Sequence, residues 1–172
     1  MPTNRKRVLF LDGIGCNPEG FKVRFLRGLG YDVVAPMLPD RDFPGSVAIA
    51  EAALRDAVPD VIVGYSRGAA VAVASSDDRI PRVLIAGALH WVPDGRRFPG
   101  RVIALHSEED YGLPLEEVRE HLRRCGIAAD VLRIVGEDHT MIDEPALAAL
   151  ADALREVLRD ETDSPSGPQA VG

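Results

Sequence analysis

The chain has 172 residues, of which 27 are acidic and 20 basic, for a formal net charge of −7; the length suits one domain, and the charge repels nucleic acid and anionic lipid. No stretch approaches the roughly 18 uninterrupted apolar residues of a membrane span, and the four apolar residues after the basic start are too few for a signal peptide, so a cytoplasmic location is expected. Cys16 and Cys125 lie far apart, without C-x-x-C spacing or a histidine cluster, so no disulfide, metal or cofactor is expected.

Short apolar, β-branched runs recur at residues 8–11, 32–35, 61–64, 83–86, 102–105 and 131–135, with helix-length segments between most of them. This alternation predicts an α/β fold, a doubly wound, mostly parallel six-stranded sheet flanked by helices. Phe21, Phe25 and Leu29 share one helical stripe; Leu115, Val118 and Leu122 share a second, and Leu147, Leu150, Leu154 and Val157 a third. Gly28 and Gly30 close the first of these helices, and Asp143 followed by Pro145 opens the last. From Asp160 onward the sequence has no apolar period and many turn formers. Residues 1–159 are therefore expected to form the domain and 160–172 a flexible tail.

The third apolar run leads through Gly64-Tyr65-Ser66-Arg67-Gly68 into an alanine-rich segment. That is G-x-S-x-G in the strand-turn-helix setting that exposes a serine at the tip of a sharp reversal. The glycines relieve backbone crowding there, and the new helix offers unpaired N–H groups, Arg67's first, to a developing oxyanion. A serine hydroxyl is a poor nucleophile unaided, so a histidine and a carboxylate should follow it in the chain. His139 lies after the last strand and before the last helix, within reach of Ser66. His90 and His106 end strands and could line a cleft, while His121 reads as a surface residue. Glu108, Glu109 and Asp110 follow the fifth strand as candidate acids, with Asp110 preferred and Glu108 behind it.

In this order the motifs resemble the α/β-hydrolase superfamily over about residues 7–158. Gly64 to Gly68 match its nucleophile elbow and Gly136-Glu137-Asp138-His139 its histidine loop. His106, Ser107, Asp110, Leu113 and Pro114 approximate its acid loop. Leu11-Asp12-Gly13-Ile14-Gly15 stands where the family has H-G-x, which makes the Ile14 N–H the second candidate oxyanion donor. Asp12 replaces the usual histidine and Asp138 the usual glycine, placing two extra carboxylates beside the site. The first two strands of full-sized members are missing, as in the compact, dienelactone-hydrolase-like serine hydrolases.

The resemblance implies a serine hydrolase that cleaves a small ester, thioester or lactone through an acyl-enzyme, with Ser66, His139 and Asp110 as triad. Only residues 89–100 separate the fourth strand from the fifth, too few for a large lid. The partner expected is a small acyl substrate, touched by Asp12, Tyr65, Trp91 or Tyr111, with Phe98 nearby; the aromatics suit a core equally well. Arg67 is opposed by the helix dipole, at ~0.3–1 kcal/mol, so an acidic partner is expected, Asp12 more economically than a substrate carboxylate. An acyltransferase would use the same triad, and a binding protein could keep the fold without chemistry. A phosphatase with Asp12 as nucleophile is disfavoured, because Ile14 occupies the place of its second aspartate.

Overall fold

Strands in which consecutive residues are all apolar need cover on both faces of their sheet, and the segments between them supply it. In a computed structural model that describes residues 5–159, the chain runs β1 (Arg7–Leu11), α1 (Phe21–Gly28), β2 (Asp32–Val34), α2 (Phe43–Ala57), β3 (Val61–Tyr65), α3 (Arg67–Ala74), β4 (Arg82–Ile85), β5 (Val102–His106), α4 (Leu115–Arg124), β6 (Leu132–Ile134) and α5 (Glu144–Val157). The tail expected from Asp160 onward lies outside the described residues. All pairings are parallel, in the order β2-β1-β3-β4-β5-β6. No helix among the described residues is long and apolar enough to cross a membrane.

Alternate residues of each strand feed two cores. Leu9, Leu11, Ile62, Leu84 and Ala104 pack with α2, α3 and α4. Val8, Phe10, Val61, Val63, Ile85 and Leu105 pack with α1 and α5. The sheet is thus doubly wound, as the strand pattern implies. Two expectations are corrected. The stripe that α1 buries is Lys22, Val23 and Leu26; of the expected stripe Phe25 is half-buried against the core, while Phe21 and Leu29 are largely exposed, so the inward face is offset by about one residue from the larger side chains. The last strand is shorter than residues 131–135, because Ala129–Val131 closes a 3-10 turn against it.

Arg82, fully buried at the start of β4 beside the end of α3, is held by its surroundings at every nitrogen. Nε donates to Ala72 O, Nη1 to Asp77 O and Ile80 O, and Nη2 to Ser75 O and Ser76 O. The guanidinium also lies 4.3 Å from the centre of the Phe98 ring, which makes Phe98 a core residue rather than a substrate contact.

The chain leaves β1 toward β2 on one side and returns to β3 on the other, so the connections leaving the carboxyl ends of β1 and β3 run to opposite faces of the sheet, α1 to one and α3 to the other. Open parallel sheets bind ligands in such a crevice. The loop with Ile14 follows β1 and Ser66 follows β3, which brings both to that point. α3 closes over it in near contact: a β-carbon on Gly68 would lie 2.0 Å from Leu11 O, and one on Gly64 2.6 Å from Ala69 Cα. Gly68→Ala should therefore destabilise the fold by about 3 kcal/mol. Gly28→Ala, with nothing within 4 Å of the added carbon, should be neutral or gain up to about 1 kcal/mol. Urea denaturation of the two variants checks this, and equal midpoints would contradict it.

Candidate active site

The turn from β3 into α3 puts Ser66 at φ 52°, ψ −120°, a backbone conformation that costs a non-glycine residue about 1–3 kcal/mol. Neighbouring contacts impose it. Ser66 N–H donates to Ile85 O at 2.8 Å, and Ser66 O accepts from Ala88 N–H at 3.0 Å. Gly13 crowds the other side, where a β-carbon would come within 3.1 Å of Ser66 Cβ. With its backbone fixed, the side chain is left at the mouth of the crevice.

Ser66 Oγ lies 3.0 Å from His139 Nε2, and His139 Nδ1 donates to Asp110 Oδ2 at 2.5 Å. Of the three candidate acids, Asp110 is the one buried, while Glu108 and Glu109 face solvent. Asp110 Oδ1 accepts from Leu113 N–H at 3.1 Å. His106 is buried within the acid loop rather than lining the cleft, and its Nε2–H donates to Leu113 O at 2.9 Å. Burial lowers its pKa and keeps it neutral. Ser107 Oγ donates to Gly136 O at 2.8 Å, tying the acid loop to the histidine loop.

Lys22 braces the histidine loop from α1. Its Nζ donates to Thr140 O at 2.5 Å and sits 3.7 Å above the Tyr65 ring. Burial lowers the Lys22 pKa to about 8, partly offset by the Asp12 and Asp138 carboxylates. Tyr65 in turn has its ring 5.6 Å from that of His139, and burial pushes its pKa up to about 12. Lys22 was missed in the sequence, where a lysine in a helix with Arg24 and Arg27 reads as a surface cation. Its clue was the spacing Lys22, Val23, Leu26, which puts it on the inward face.

The loop after β1 is organised by carboxylates. Asp12 accepts from Gly13 N–H at 2.8 Å and Asn17 N–H at 3.0 Å, and Asp40 accepts from Gly15 N–H at 2.9 Å. The Ile14 N–H between them is engaged by no acceptor among the described residues. Asp12 and Tyr65 therefore stand outside the cleft: the first shapes the loop, the second backs His139. Asp12 is also not the partner of Arg67, whose hydrogen bonds go to Pro39 O and Ser46 Oγ. Asp138, exposed, accepts from Thr140 N–H and Oγ1, and the hydroxyl bond is the main cause of its lowered pKa.

Ser66, His139 and Asp110 open on a cleft of about 680 Å³, to which Ile14, Trp91 and Tyr111 contribute walls. His90 also lines it; His121 packs against His90 at 5.7 Å. A 3-10 turn, Leu89–Trp91, is the one regular element between β4 and β5, so no helical lid covers the cleft from there.

No protein-family model matches the chain, and no curated protein sequence matches it. Solved structures do. The mouse α/β hydrolase domain-containing protein 10 superposes with a TM-score of 0.70 at 15% identity over 88% of this chain and 89% of its own. An α-β serine hydrolase homologue from Coxiella burnetii gives a TM-score of 0.69 at 16% identity over 91% and 86%. Est1E from Butyrivibrio proteoclasticus, with ferulic acid bound, gives 0.68 at 11% identity over 90% and 89%. At such identities the likeness is one of fold, and the fold of this chain is that of the α/β-hydrolases.

Proposed function

We propose that this protein is a serine hydrolase that cleaves a small ester, thioester or lactone through an acyl-enzyme on Ser66. The observation that carries the proposal is the unbroken relay from Ser66 Oγ through His139 to a buried carboxylate, at 3.0 Å and 2.5 Å, at the end of a strained elbow. Ser66 Oγ attacks the carbonyl carbon as its proton passes to His139 Nε2. Asp110 holds the Nδ1–H tautomer and stabilises the imidazolium. The N–H groups of Ile14 and Arg67 receive the oxyanion. His139 then returns its proton to the departing alcohol or thiol. Water, deprotonated by His139, attacks the acyl-enzyme and releases the carboxylic acid.

A cleft of about 680 Å³ with apolar walls suits a small acyl chain. Hydrolysis of p-nitrophenyl acetate and butyrate tests the proposal. Ser66→Ala and His139→Ala should each lower kcat by about a thousandfold or more, with KM little changed. Ser66→Ala retaining wild-type turnover would overturn it.

Lys22 acts here as a positioning residue for His139. Loss of its proton as pH rises through about 8 weakens its attraction to Thr140 O and to the Tyr65 ring. The kcat/KM profile should accordingly fall above that pH, and Lys22→Met should lack the fall. Stability runs the other way. The folded-state value lies below the ordinary 10.5, so between these two values the unfolded chain binds more protons. Wild type should thus gain stability relative to Lys22→Met as pH rises from about 8 to 10.5. Parallel activity and denaturation profiles for the two proteins would contradict both expectations.

A further inference from the structure

We propose that the cleft beside Ser66 takes an ester bearing a carboxylate, which the guanidinium of Arg67 holds; this rests on the hydrolase reading above. Two arginines of the fold are fully buried, Arg67 at 1% exposure and Arg82 at 0%, and they differ in how they are satisfied. Every nitrogen of Arg82 donates to a backbone carbonyl. Arg67 commits only Nη2, to Pro39 O at 2.9 Å and Ser46 Oγ at 3.0 Å, and its Nε and Nη1 have no acceptor among the described residues. A buried cation in that condition is costly. The N-terminus of α3, where Arg67 sits, makes it costlier, since the helix dipole opposes a positive charge there.

The surroundings offset part of that charge with aromatic faces. The Arg67 guanidinium lies 5.6 Å from the Phe43 ring and 5.5 Å from the Trp91 ring, and the two rings are stacked at 5.9 Å. Arg67 and Trp91 both line the cleft that holds Ser66. Trp91 is the more accessible of the two rings, 40% exposed, and binding as proposed requires its ring to turn aside so that Nε and Nη1, both buried and without an acceptor among the described residues, meet the incoming anion.

The other charged groups lining the cleft do not neutralise Arg67. Asp110 is spent on His139. Glu109 accepts from the Tyr111 hydroxyl, and Asp138 from Thr140; both face solvent, which screens them. His90 and His139 bring no negative charge. A carboxylate on the substrate supplies the counter-charge that the fold omits, and a guanidinium is the side chain best shaped to receive it.

Trp91 is the only tryptophan in the chain, so intrinsic fluorescence reports directly on this place. Glutarate should change the emission saturably while the neutral glutaramide should not, and Arg67→Gln should weaken glutarate binding by about tenfold or more. In turnover, p-nitrophenyl hemiglutarate against p-nitrophenyl valerate tests a carboxylate in the acyl part, and 4-acetoxybenzoate against phenyl acetate one in the leaving group. One acid-bearing ester should exceed its neutral partner by about tenfold in kcat/KM, a preference that Arg67→Gln removes. If Arg67→Gln does not fold, the wild-type ratios decide. Hydrolysis of the neutral esters without acid preference, and no saturable glutarate response, would overturn the inference and leave the hydrolase reading standing. Saturable glutarate binding with no ester turned over would overturn the hydrolase reading, and with it the ester, and leave only the carboxylate site at Arg67.

Discussion

The contact between α3 and the end of β1 is the constraint on which the site depends. A β-carbon on Gly68 would stand 2.0 Å from Leu11 O, so the helix lies against the strand's backbone rather than against its side chains. That approach lets the chain turn from β3 into α3 within one residue and forces Ser66 to φ 52°. Ala69, Ala70 and Ala72 of α3, all buried, extend the approach by letting the helix sink toward the sheet. A larger residue at Gly64 or Gly68 would lift α3, and with it the Ser66 hydroxyl and the Arg67 N–H.

Ser66 is set by the sheet, whereas His139 and Asp110 sit on loops that need their own ties. Three hydrogen bonds provide them: Ser107 Oγ to Gly136 O, His106 Nε2 to Leu113 O, and Lys22 Nζ to Thr140 O. The first and third, from the loop after β5 and from α1, reach the histidine loop, while the second holds the acid loop to the end of β5. Each uses a backbone carbonyl as acceptor, which fixes the loop path without occupying the imidazole or the carboxylate. In the proposed reaction this leaves the relay free to move one proton while its heavy atoms stay in place.

Much of this was legible in the sequence. The six apolar runs are the strands, to within one residue at each end, because strands covered on both faces need uninterrupted apolar residues. Gly64, Ser66 and Gly68 are readable because the elbow tolerates little else, and Asp143 is readable as a cap, with its side chain accepting from Ala146 N–H at 3.0 Å. The supporting contacts were not legible. Lys22 looks like any helical lysine until Val23 and Leu26, not Phe21 and Leu29, prove to be the inward stripe. Asp12 reads as a neighbour for Arg67, but its carboxylate turns back on its own loop to hold Gly13 and Asn17. Local pattern reveals which residues are apolar or turn-forming; which polar group satisfies which depends on loop paths that no short-range period encodes.

The central claim is that Ser66 is an activated nucleophile. Treating the folded protein with a fluorophosphonate and mapping the adduct by mass spectrometry tests that most directly, because covalent capture needs no knowledge of the substrate. A single adduct on Ser66, absent from Ser66→Ala and His139→Ala, is the predicted result. A folded wild-type protein that stays unlabelled, or that labels elsewhere and leaves Ser66 untouched, would contradict it.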